Sequence, residues 1–333
     1  MQTSLVTTLT LAQREKAVAR AVELLRKGEI VALPTETVYG LAADALNPIA
    51  VTKVFEAKER PRFDPLIVHL PDHPWLERIA HIPAHDRQLI LTLATTFWPG
   101  PLTMVLPKRD IVPGLVTAGL DTVAVRISAH PIFREIVREL NQPLAAPSAN
   151  RFGRISPTTA QHVFDELKGR IPLIVDAGPT RHGIESTIVA VRQGKIEILR
   201  RGPLTESHLS QVGKIASVAR TPDISAPGQL PSHYAPQTPL CLVDDAKLFW
   251  PEKNQRIGLL AWTSSGSLRA DTERFVAVRN LSERHDLREA AANLFRYLRE
   301  LDALGLELIV AERVPCHGLG AAIMDRLERA SHN

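Results

Sequence analysis

Two polar clusters contain the residues of this sequence that are best suited to chemistry. The first is Lys58-Glu59-Arg60-Pro61-Arg62, and the second runs from Ser148 to Thr158 with the sequence SANRFGRISPT. Lysine offers a mobile point charge and arginine a planar fork for two oxygens, while hydroxyl and amide groups add further donors. Such groups bind phosphoanhydride oxygens, and the two clusters therefore indicate nucleotide chemistry.

The cations of the first cluster, Lys58, Arg60 and Arg62, also allow a simpler interpretation. They follow a predicted helix, and a helix dipole stabilises cations near its C-terminus, so each of them alone could belong to a solvated helix end. Pro61 and the pair Asp64-Pro65 hold this segment in a fixed loop. That restriction favours a phosphate clamp made by the three cations together.

His69 and Arg126 are polar side chains within apolar runs, 66–70 and 123–127. A satisfied core histidine is the common alternative for His69. If its strand ends there, however, the imidazole faces the loop 34–37 and could bind a carboxylate. Arg126 must either point to solvent or meet an anion, because an unpaired buried guanidinium is costly. The loop itself, PTET, is expected to expose two threonines and a carboxylate beyond a strand end.

Further candidates lie at loop positions later in the chain. Glu185-Ser186-Thr187 precedes a predicted strand, and Arg200-Arg201 closes a predicted hairpin, so both add candidate anion-binding groups. The pair His233-Tyr234 lies in a proline-rich segment. It is interpreted either as a hydrophobic anchor or as a lid over a nucleotide base.

Length, composition and charge limit the classes of protein. The chain has 333 residues, 44% of them hydrophobic and 23% charged, which predicts a globular protein of about two domains. The net charge of +4 and the isoelectric point near 9.2 suit an anionic ligand but are too mild to indicate a nucleic-acid surface. Neither a P-loop nor a dinucleotide-binding fingerprint is present in the sequence.

The location and the cysteines are also predicted from the sequence. The first residues do not follow the pattern of a secretory signal, and no apolar run reaches the length of a membrane span, so a cytoplasmic protein is expected. Cys241 and Cys316 have no partner at metal-binding spacing and are expected to be ordinary buried thiols.

Helix and strand patterns alternate along the chain and predict an α/β fold with mixed strand directions. The opening helix has a capping box of Thr10 and Gln13 and ends near Gly28, and a second helix runs from Pro48 to Lys58. Further helices are expected to open at Pro131 and to follow Thr158. Strands are predicted at 30–33, 66–70, 103–106, 123–127 and 173–176, with a hairpin at 187–199 turning at 193–194.

A change in composition divides the chain into two domains, 1–216 and 240–333. The segment 217–239 between them is rich in proline and has no hydrophobic period, so it is predicted to be a linker. The second domain is predicted to be a small three-layer α/β unit. Its expected strands are 240–243, 257–261, 275–278 and 308–310, and its expected helices are 287–304 and a final one after Gly320.

The motifs, taken in order, resemble the L-threonylcarbamoyladenylate synthases, the YrdC-like family, in their long form with a C-terminal Sua-type domain. The resemblance runs from about Ala17 to Ala330. The matching stretches are PTETVYGL at 34–41, KxR at Lys58 and Arg60, PLIVH ending at His69, WPGPLT at 98–103, SxN at Ser148 and Asn150, and Glu312, Pro315, GLG at 318–320 and DRL at 325–327.

The resemblance implies a fold and an activity. The fold would be α/β: a YrdC-like twisted mixed sheet with helices, followed by a smaller Rossmann-like three-layer α/β domain. The enzyme would be a nucleotidyltransferase that joins L-threonine, bicarbonate and ATP, with magnesium, into threonylcarbamoyl-AMP and releases pyrophosphate. A separate threonylcarbamoyl transferase complex would then modify tRNA next to the anticodon. The resemblance leaves the metal ligands unknown and a direct contact with tRNA open.

The resemblance also implies the residues of the site. Lys58 and Arg60 would be catalytic. Five residues would bind threonine: Thr35, His69, Arg126, Ala146 and Ser186. Nine would bind ATP: Lys58, Arg62, Thr122, Ser148, Asn150, Ser156, Arg200, His233 and Tyr234. The linker 217–239 would act as a lid over this site.

A rival interpretation is a binding module for double-stranded RNA or tRNA without catalysis, because members of this fold present a basic concave face. The aromatic content of 5% is low for a protein that stacks single-stranded bases. Pyrophosphate release that requires both threonine and bicarbonate would separate the two hypotheses. A carbamoyl transferase of hydrogenase maturation would need paired zinc-finger cysteines, which this sequence lacks.

Overall fold

The computed structural model describes residues 1–216, 227–228, 234–252, 255–263 and 274–332. The chain divides into two compact units. The first consists of 1–152, 157–181 and 185–229, and the second of 153–156, 182–184 and 230–333. The predicted linker 217–239 lies mostly outside the described residues, and so does His233.

The first unit contains a mixed sheet of eleven strands among the described residues. The strands are β1 (Ser4–Thr7), β2 (Val31–Leu33), β3 (Gly40–Asp44), β4 (Ile67–His69), β5 (Leu102–Pro107), β6 (Thr122–Arg126), β7 (Leu144–Ala145), β8 (Leu173–Asp176), β9 (Thr187–Arg192), β10 (Lys195–Arg200) and β11 (Lys214–Ile215). Their order across the sheet is β1-β8-β2-β3-β7-β4-β6-β5-β9-β10-β11.

Among the described residues of the first unit, eight helices connect these strands. They are α1 (Leu11–Arg26), α2 (Pro48–Lys58), α3 (Trp75–Ile79), α4 (Arg87–Phe97), α5 (Gly114–Thr117), α6 (Pro131–Leu140), α7 (Ala160–Leu167) and α8 (Glu206–Ser210). The capping box of Thr10 and Gln13 is confirmed. The hairpin of β9 and β10 is confirmed as an antiparallel pair whose turn is Gln193-Gly194.

Strand alternation places helices on both faces of the sheet. In β2, Val31 and Leu33 pack in the cluster that contains α1 and α6, while Ala32 faces the cluster that contains α2 and α7. Successive side chains of a strand point to opposite faces, so an all-apolar strand such as β2 must be covered twice. This two-sided burial fixes the positions of the loops at the strand ends.

The second unit contains a parallel sheet of four strands among its described residues, in the order β12-β15-β13-β14. Its elements are β12 (Leu240–Val243), a 3₁₀ helix (Ala246–Leu248), β13 (Ile257–Ala261), β14 (Ala277–Asn280), α9 (Leu287–Asp302), β15 (Leu308–Glu312) and α10 (Gly320–Ala330). The α/β fold with a large mixed sheet and a smaller parallel one is thus confirmed.

Several sequence predictions were wrong in detail. The strand expected at 275–278 lies two residues later, at Ala277–Asn280. Strands β1 and β3 and helices α3 and α4 were not predicted. Cys241 is half-buried and Cys316 is exposed, although both were expected to be buried. Among the described residues, no helix is long and apolar enough to cross a membrane.

The start of α2 offers a test of how its C-terminal residue, Lys58, is held in place. Asn47 is the N-cap, and its side chain accepts hydrogen bonds from the backbone N–H groups of Ile49 and Ala50. Removing the acceptor leaves these groups without their cap, so Asn47→Ala is expected to lower the free energy of unfolding by about 1 kcal/mol. Urea unfolding measures the change. The matched control is Glu56→Ala, at an exposed position in the same helix, which is expected to change stability less.

Candidate active site

Arg126 lies at the centre of a buried hydrogen-bonded cluster in the first unit. It is the last residue of β6 and pairs in register with His69, the last residue of the parallel strand β4. The carboxyl ends of two neighbouring parallel strands therefore bring these two predicted threonine-binding residues together. This edge of a sheet is where α/β proteins bind ligands.

Each nitrogen of the Arg126 guanidinium has an oxygen partner. Nε donates to the carbonyl of Gly100 at 3.1 Å, and Nη1 donates to Oγ1 of Thr37 at 3.1 Å. Nη2 forms an ion pair with Oε1 of Glu36 at 2.6 Å, and both side chains are more than nine-tenths buried. Arg126 was expected either to point to solvent or to meet an anion, and it is buried with Glu36 as its anion.

Glu36 is held in its charged form. Burial alone would raise the pKa of its carboxyl, but the Arg126 guanidinium and a hydrogen bond from the Ser128 hydroxyl outweigh burial and lower the pKa to about 2. The loop 34–37 was expected to expose its carboxylate and threonines, and that expectation was wrong. Thr35, Glu36 and Thr37 are all buried, because their polar groups are satisfied inside the cluster.

His69 is buried next to this cluster and stays neutral. Burial and the nearby Arg126 guanidinium lower the pKa of its imidazole to about 3. Its ring packs 4.7 Å from the ring of Phe133. Nδ1 has no hydrogen-bond partner among the residues that the structure describes. A buried nitrogen without a partner costs free energy, so His69 has the capacity to bind a polar ligand group.

The predicted residues Thr35 and Ala146 shape the same region through backbone contacts. The Thr35 hydroxyl donates to the carbonyl of Val38 at 2.6 Å and accepts from the N–H of Val38 at 3.2 Å, which closes the turn between β2 and β3. Ala146 is buried beside Gly40, where an added Cβ would lie 3.2 Å from the Cβ of Ala146. Small residues therefore keep this turn closely packed.

Ser186 connects the threonine candidates to the ATP candidates. Its hydroxyl lies 2.8 Å from that of Thr103, and it accepts a hydrogen bond from Nη2 of Arg200 at 3.0 Å. Nε of Arg200 also donates to the Ser186 carbonyl at 3.1 Å. Burial raises the pKa of the Asp64 carboxyl after α2, and the positive charges of Arg60, Lys58 and, least, Arg200 oppose that rise.

Lys58 is fully buried at the end of α2. Its ammonium donates to the backbone carbonyls of Ser148 at 2.6 Å and Asn150 at 2.5 Å. Burial and the charge of Arg60 lower the pKa of Lys58 to about 7. The two polar clusters identified in the sequence are therefore in direct contact. With a pKa of about 7, Lys58 loses its positive charge near neutral pH.

Arg60 is also buried, and it pairs with Asp64 inside its own loop. The guanidinium lies 2.8 Å from a carboxylate oxygen of Asp64 and donates to the carbonyls of Asp64 and Pro65. Burial raises the pKa of the Asp64 carboxyl, and Arg60 opposes that rise. The carboxylate of Glu59 lies outside this pair, since it is exposed and forms ion pairs with Arg151 and Arg170.

The remaining predicted ATP residues occupy varied environments. Arg62 is exposed, Thr122 and Ser148 are half-buried, and Asn150 is buried. Ser156 and Tyr234 are buried and belong to the second unit, while His233 lies outside the described residues.

Sequence reasoning assigned no role to Glu36, Thr37, Thr103 or Ser128. A signal existed for Glu36, because the loop 34–37 carries a carboxylate and Arg126 needed an anion. Thr103 and Ser128 have no comparable signal, since only the fold brings them to Ser186 and Glu36. Among the described residues, no group of three or more His, Cys, Asp or Glu side chains could hold a metal ion.

Comparison with known proteins identifies families for both parts of the chain. Residues 23–202 match the family model Sua5_yciO_yrdC, described as "Telomere recombination". Residues 199–332 match the model described as "Threonylcarbamoyl-AMP synthase, C-terminal domain".

Individual proteins match over nearly the whole length. The threonylcarbamoyl-AMP synthase of Pyrococcus abyssi is 39% identical and aligns over 93% of each chain. That of Bacillus subtilis is 41% identical over 96% of this chain and 94% of its own. The crystal structure of P. abyssi Sua5 complexed with L-threonine matches with a TM-score of 0.86 at 36% identity, covering 99% of this chain and 98% of the other.

The ion pair of Arg126 and Glu36 gives a prediction for stability. Glu36→Gln leaves a buried guanidinium without its counter-charge, and we expect a loss of about 3 kcal/mol in the free energy of unfolding. The folded pKa of Glu36, about 2, lies below its ordinary value of 4.5. Its stabilising effect is therefore complete above about pH 4.5 and is lost as the pH falls towards 2.

Urea unfolding at a series of pH values measures both effects. Glu23 is the matched control, because it is exposed and also forms two ion pairs, with Arg20 and Lys27. Glu23→Gln is expected to change stability little. Equal losses in the two variants would contradict a special contribution from the buried pair.

Proposed function

Because this chain belongs to the Sua5/YrdC family of threonylcarbamoyl-AMP synthases, enzymes of the tRNA threonylcarbamoyladenosine pathway, we propose that its first unit joins L-threonine, bicarbonate and ATP into threonylcarbamoyl-AMP. The observation that carries this proposal is the contact between the two polar clusters, because buried Lys58 donates to the backbone carbonyls of Ser148 at 2.6 Å and Asn150 at 2.5 Å. Buried Arg200 hydrogen-bonds to Ser186, a candidate for threonine. These contacts support an amino-acid recess and a phosphate clamp.

The amino-acid recess consists of Thr35, His69, Arg126, Ala146 and Ser186. Neutral His69 suits the amino end of an amino acid, since its unpartnered Nδ1 can accept a hydrogen bond. Arg126, which is paired with Glu36, contributes to this recess by fixing the loop 34–37 beside His69. The threonine complex of the P. abyssi relative supports this choice of ligand. The resemblance assigns Thr35, Ala146 and Ser186 to the same ligand.

The phosphate clamp consists of Lys58, Arg60, Arg62 and Arg200, with Thr122, Ser148 and Asn150 as polar neighbours. Lys58 and Arg60 act as the catalytic cations, because buried positive charge stabilises the negative charge that develops on the phosphates. Ser156 and Tyr234 of the second unit are assigned to ATP by the resemblance. Positioning and charge neutralisation then supply catalysis, without one dominant general base.

The reaction proceeds through a carbamate. The amino group of threonine and bicarbonate form threonine carbamate and water, and a carbamate oxygen then attacks the α-phosphate of ATP. The bond from the α-phosphate to the bridging oxygen breaks, and pyrophosphate leaves. Carbamates revert quickly, so a site closed to water protects the intermediate.

Magnesium enters this proposal as an ion carried by ATP. The candidate carboxylate beside the clamp, Asp64, is already paired with Arg60. Magnesium commonly keeps water and substrate phosphates as ligands and uses few protein carboxylates. The described residues therefore fit an ion held mainly by phosphate oxygens, where it would neutralise charge.

The wider role follows from the product. The threonylcarbamoyl group would pass to a separate transferase complex, which modifies tRNA in the cytoplasm. In this proposal, residues 1–216 form the catalytic domain and residues 240–333 form the Sua-type domain.

Removing either catalytic cation gives a direct test. Lys58→Ala and Arg60→Ala are expected to abolish threonine- and bicarbonate-dependent pyrophosphate release while the circular dichroism spectrum stays unchanged. Lys53→Ala is the matched control on α2, because Lys53 pairs with Glu29 and is only half-buried. Wild-type rates in either clamp variant would contradict the catalytic assignment. In the same assay, labelled bicarbonate must appear together with threonine in one adenylate product.

The pKa of Lys58 predicts a pH dependence for ATP binding. A bound triphosphate favours the charged ammonium, so binding takes up a proton once the free protein has lost it above about pH 7. The dissociation constant of ATP is therefore expected to rise between about pH 7 and about pH 9. Titration calorimetry measures this change. Lys58→Met should bind ATP more weakly at pH 6 and lack the rise, and an unaltered pH profile in this variant would refute the assignment.

A further inference from the structure

One face of helix α9 in the second unit contacts three separate segments of the chain. Ala291, Phe295 and Arg299 are spaced four residues apart and therefore lie in a row on the helix. The row meets segment 182–184, Tyr234 and segment 153–156. Two of these segments come from the middle of the sequence, far from α9 itself.

Gly183 meets the first position of the row at very close range. A Cβ built on Gly183 would lie 2.5 Å from the carbonyl oxygen of Ala291 and 2.5 Å from the Cα of Ala292, and its φ is +70°. Both the backbone conformation and the lack of space require glycine here. The next residue, Ile184, is completely buried, and Ser186 follows two positions later.

Tyr234 occupies the middle of the row. Its ring stacks on Phe295 with the centroids 5.5 Å apart, and the guanidinium of Arg326 lies 5.4 Å from the Tyr234 ring. The following residue, Ala235, donates its backbone N–H to the carbonyl of Gly153 at 2.8 Å. Tyr234 and its neighbour thus connect the helix to segment 153–156.

Arg299 forms a second contact between α9 and segment 153–156. Its guanidinium donates to the carbonyl of Ile155. Ile155 is 3% exposed and Ser156 is 0% exposed. A charged donor on a backbone carbonyl forms a strong hydrogen bond, so Arg299 fixes the chain immediately before Ser156.

We propose that this row on α9 is a positioning device for the synthase reaction. Arg299 acts through segment 153–156 on Ser156 and hence on ATP, and Gly183 acts through segment 182–184 on Ser186 and hence on threonine. The proposal rests on the proposed function, which assigns Ser156 to ATP and Ser186 to threonine. Displacements of about 1 Å at positions that orient substrates are enough to reduce catalysis.

Steady-state kinetics of the full chain test whether Arg299 positions Ser156 for ATP. Arg299→Ala is expected to raise the KM for ATP about tenfold, because a charged hydrogen bond is lost, and to leave the KM for threonine within about twofold. Arg299→Lys retains a charged donor and should recover part of the ATP affinity. Arg296→Ala is the matched control, since Arg296 is an exposed arginine of the same helix.

A substitution at Gly183 is expected to affect threonine more than ATP. Gly183→Ala should raise the KM for threonine about tenfold, in line with a displaced ligand-binding residue, and affect the KM for ATP less. Gly305→Ala is the matched control, because Gly305 has a similar φ of +62° but no atom within 4 Å of an added Cβ. It reproduces the backbone strain without the clash.

The outcomes separate the two proposals. If the wild-type chain shows no threonine- and bicarbonate-dependent pyrophosphate release, the proposed function fails. If the wild type is active, unchanged KM values in both variants would overturn the positioning proposal, and so would equal rises for ATP and threonine in each variant. Titration calorimetry with ATP and with threonine repeats the comparison when a variant has lost turnover. If Gly183→Ala does not fold, the Arg299 variants decide the proposal alone: a KM for ATP that is unchanged in Arg299→Ala, or equally raised in Arg299→Lys, overturns it.

Discussion

The buried ion pair of Arg126 and Glu36 is the interaction on which the arrangement of the first unit's site depends. Taking either charge out of water costs several kcal/mol, and only close, well-oriented partners repay that cost. Those partners come from the loop 34–37, from Gly100 and from Ser128. Satisfying both members of this ion pair therefore fixes three loops near the carboxyl edge of the sheet, next to His69.

Lys58 shows a different solution to the same problem. Its two hydrogen bonds go to backbone carbonyls, which satisfy two of its three donors but bring no full negative charge to balance it. The ammonium consequently has a depressed pKa, and Arg60 adds to this effect. A site with incompletely balanced positive charge attracts an anion more strongly than one closed by carboxylates. Under the proposed function, this contrast between Arg126 and Lys58 would let the two regions favour different ligands.

Much of the fold follows from local patterns in the sequence. The capping box at Thr10, the proline at the start of α2 and the Gln193-Gly194 turn each specify structure through nearby residues. Strand β3 was not predicted, because the turn between β2 and β3 contains no glycine or asparagine that would mark it as a turn. That turn is closed by the Thr35 hydroxyl instead, and a threonine there is not distinctive in the sequence.

The contacts that create the site are harder to predict, because they join residues distant in sequence. Lys58 meets Asn150 and Arg126 meets Glu36 across about ninety positions in each case, and no periodicity records such a pairing. Charge requirements are a better guide. A buried cation in an apolar strand demands an anion or carbonyls elsewhere in the chain, but the sequence of Arg126 and its neighbours did not identify Glu36 as that anion. Gly183 left no such signal, since its need for glycine arises from its positive φ and from the close backbone of α9, and the sequence displays neither.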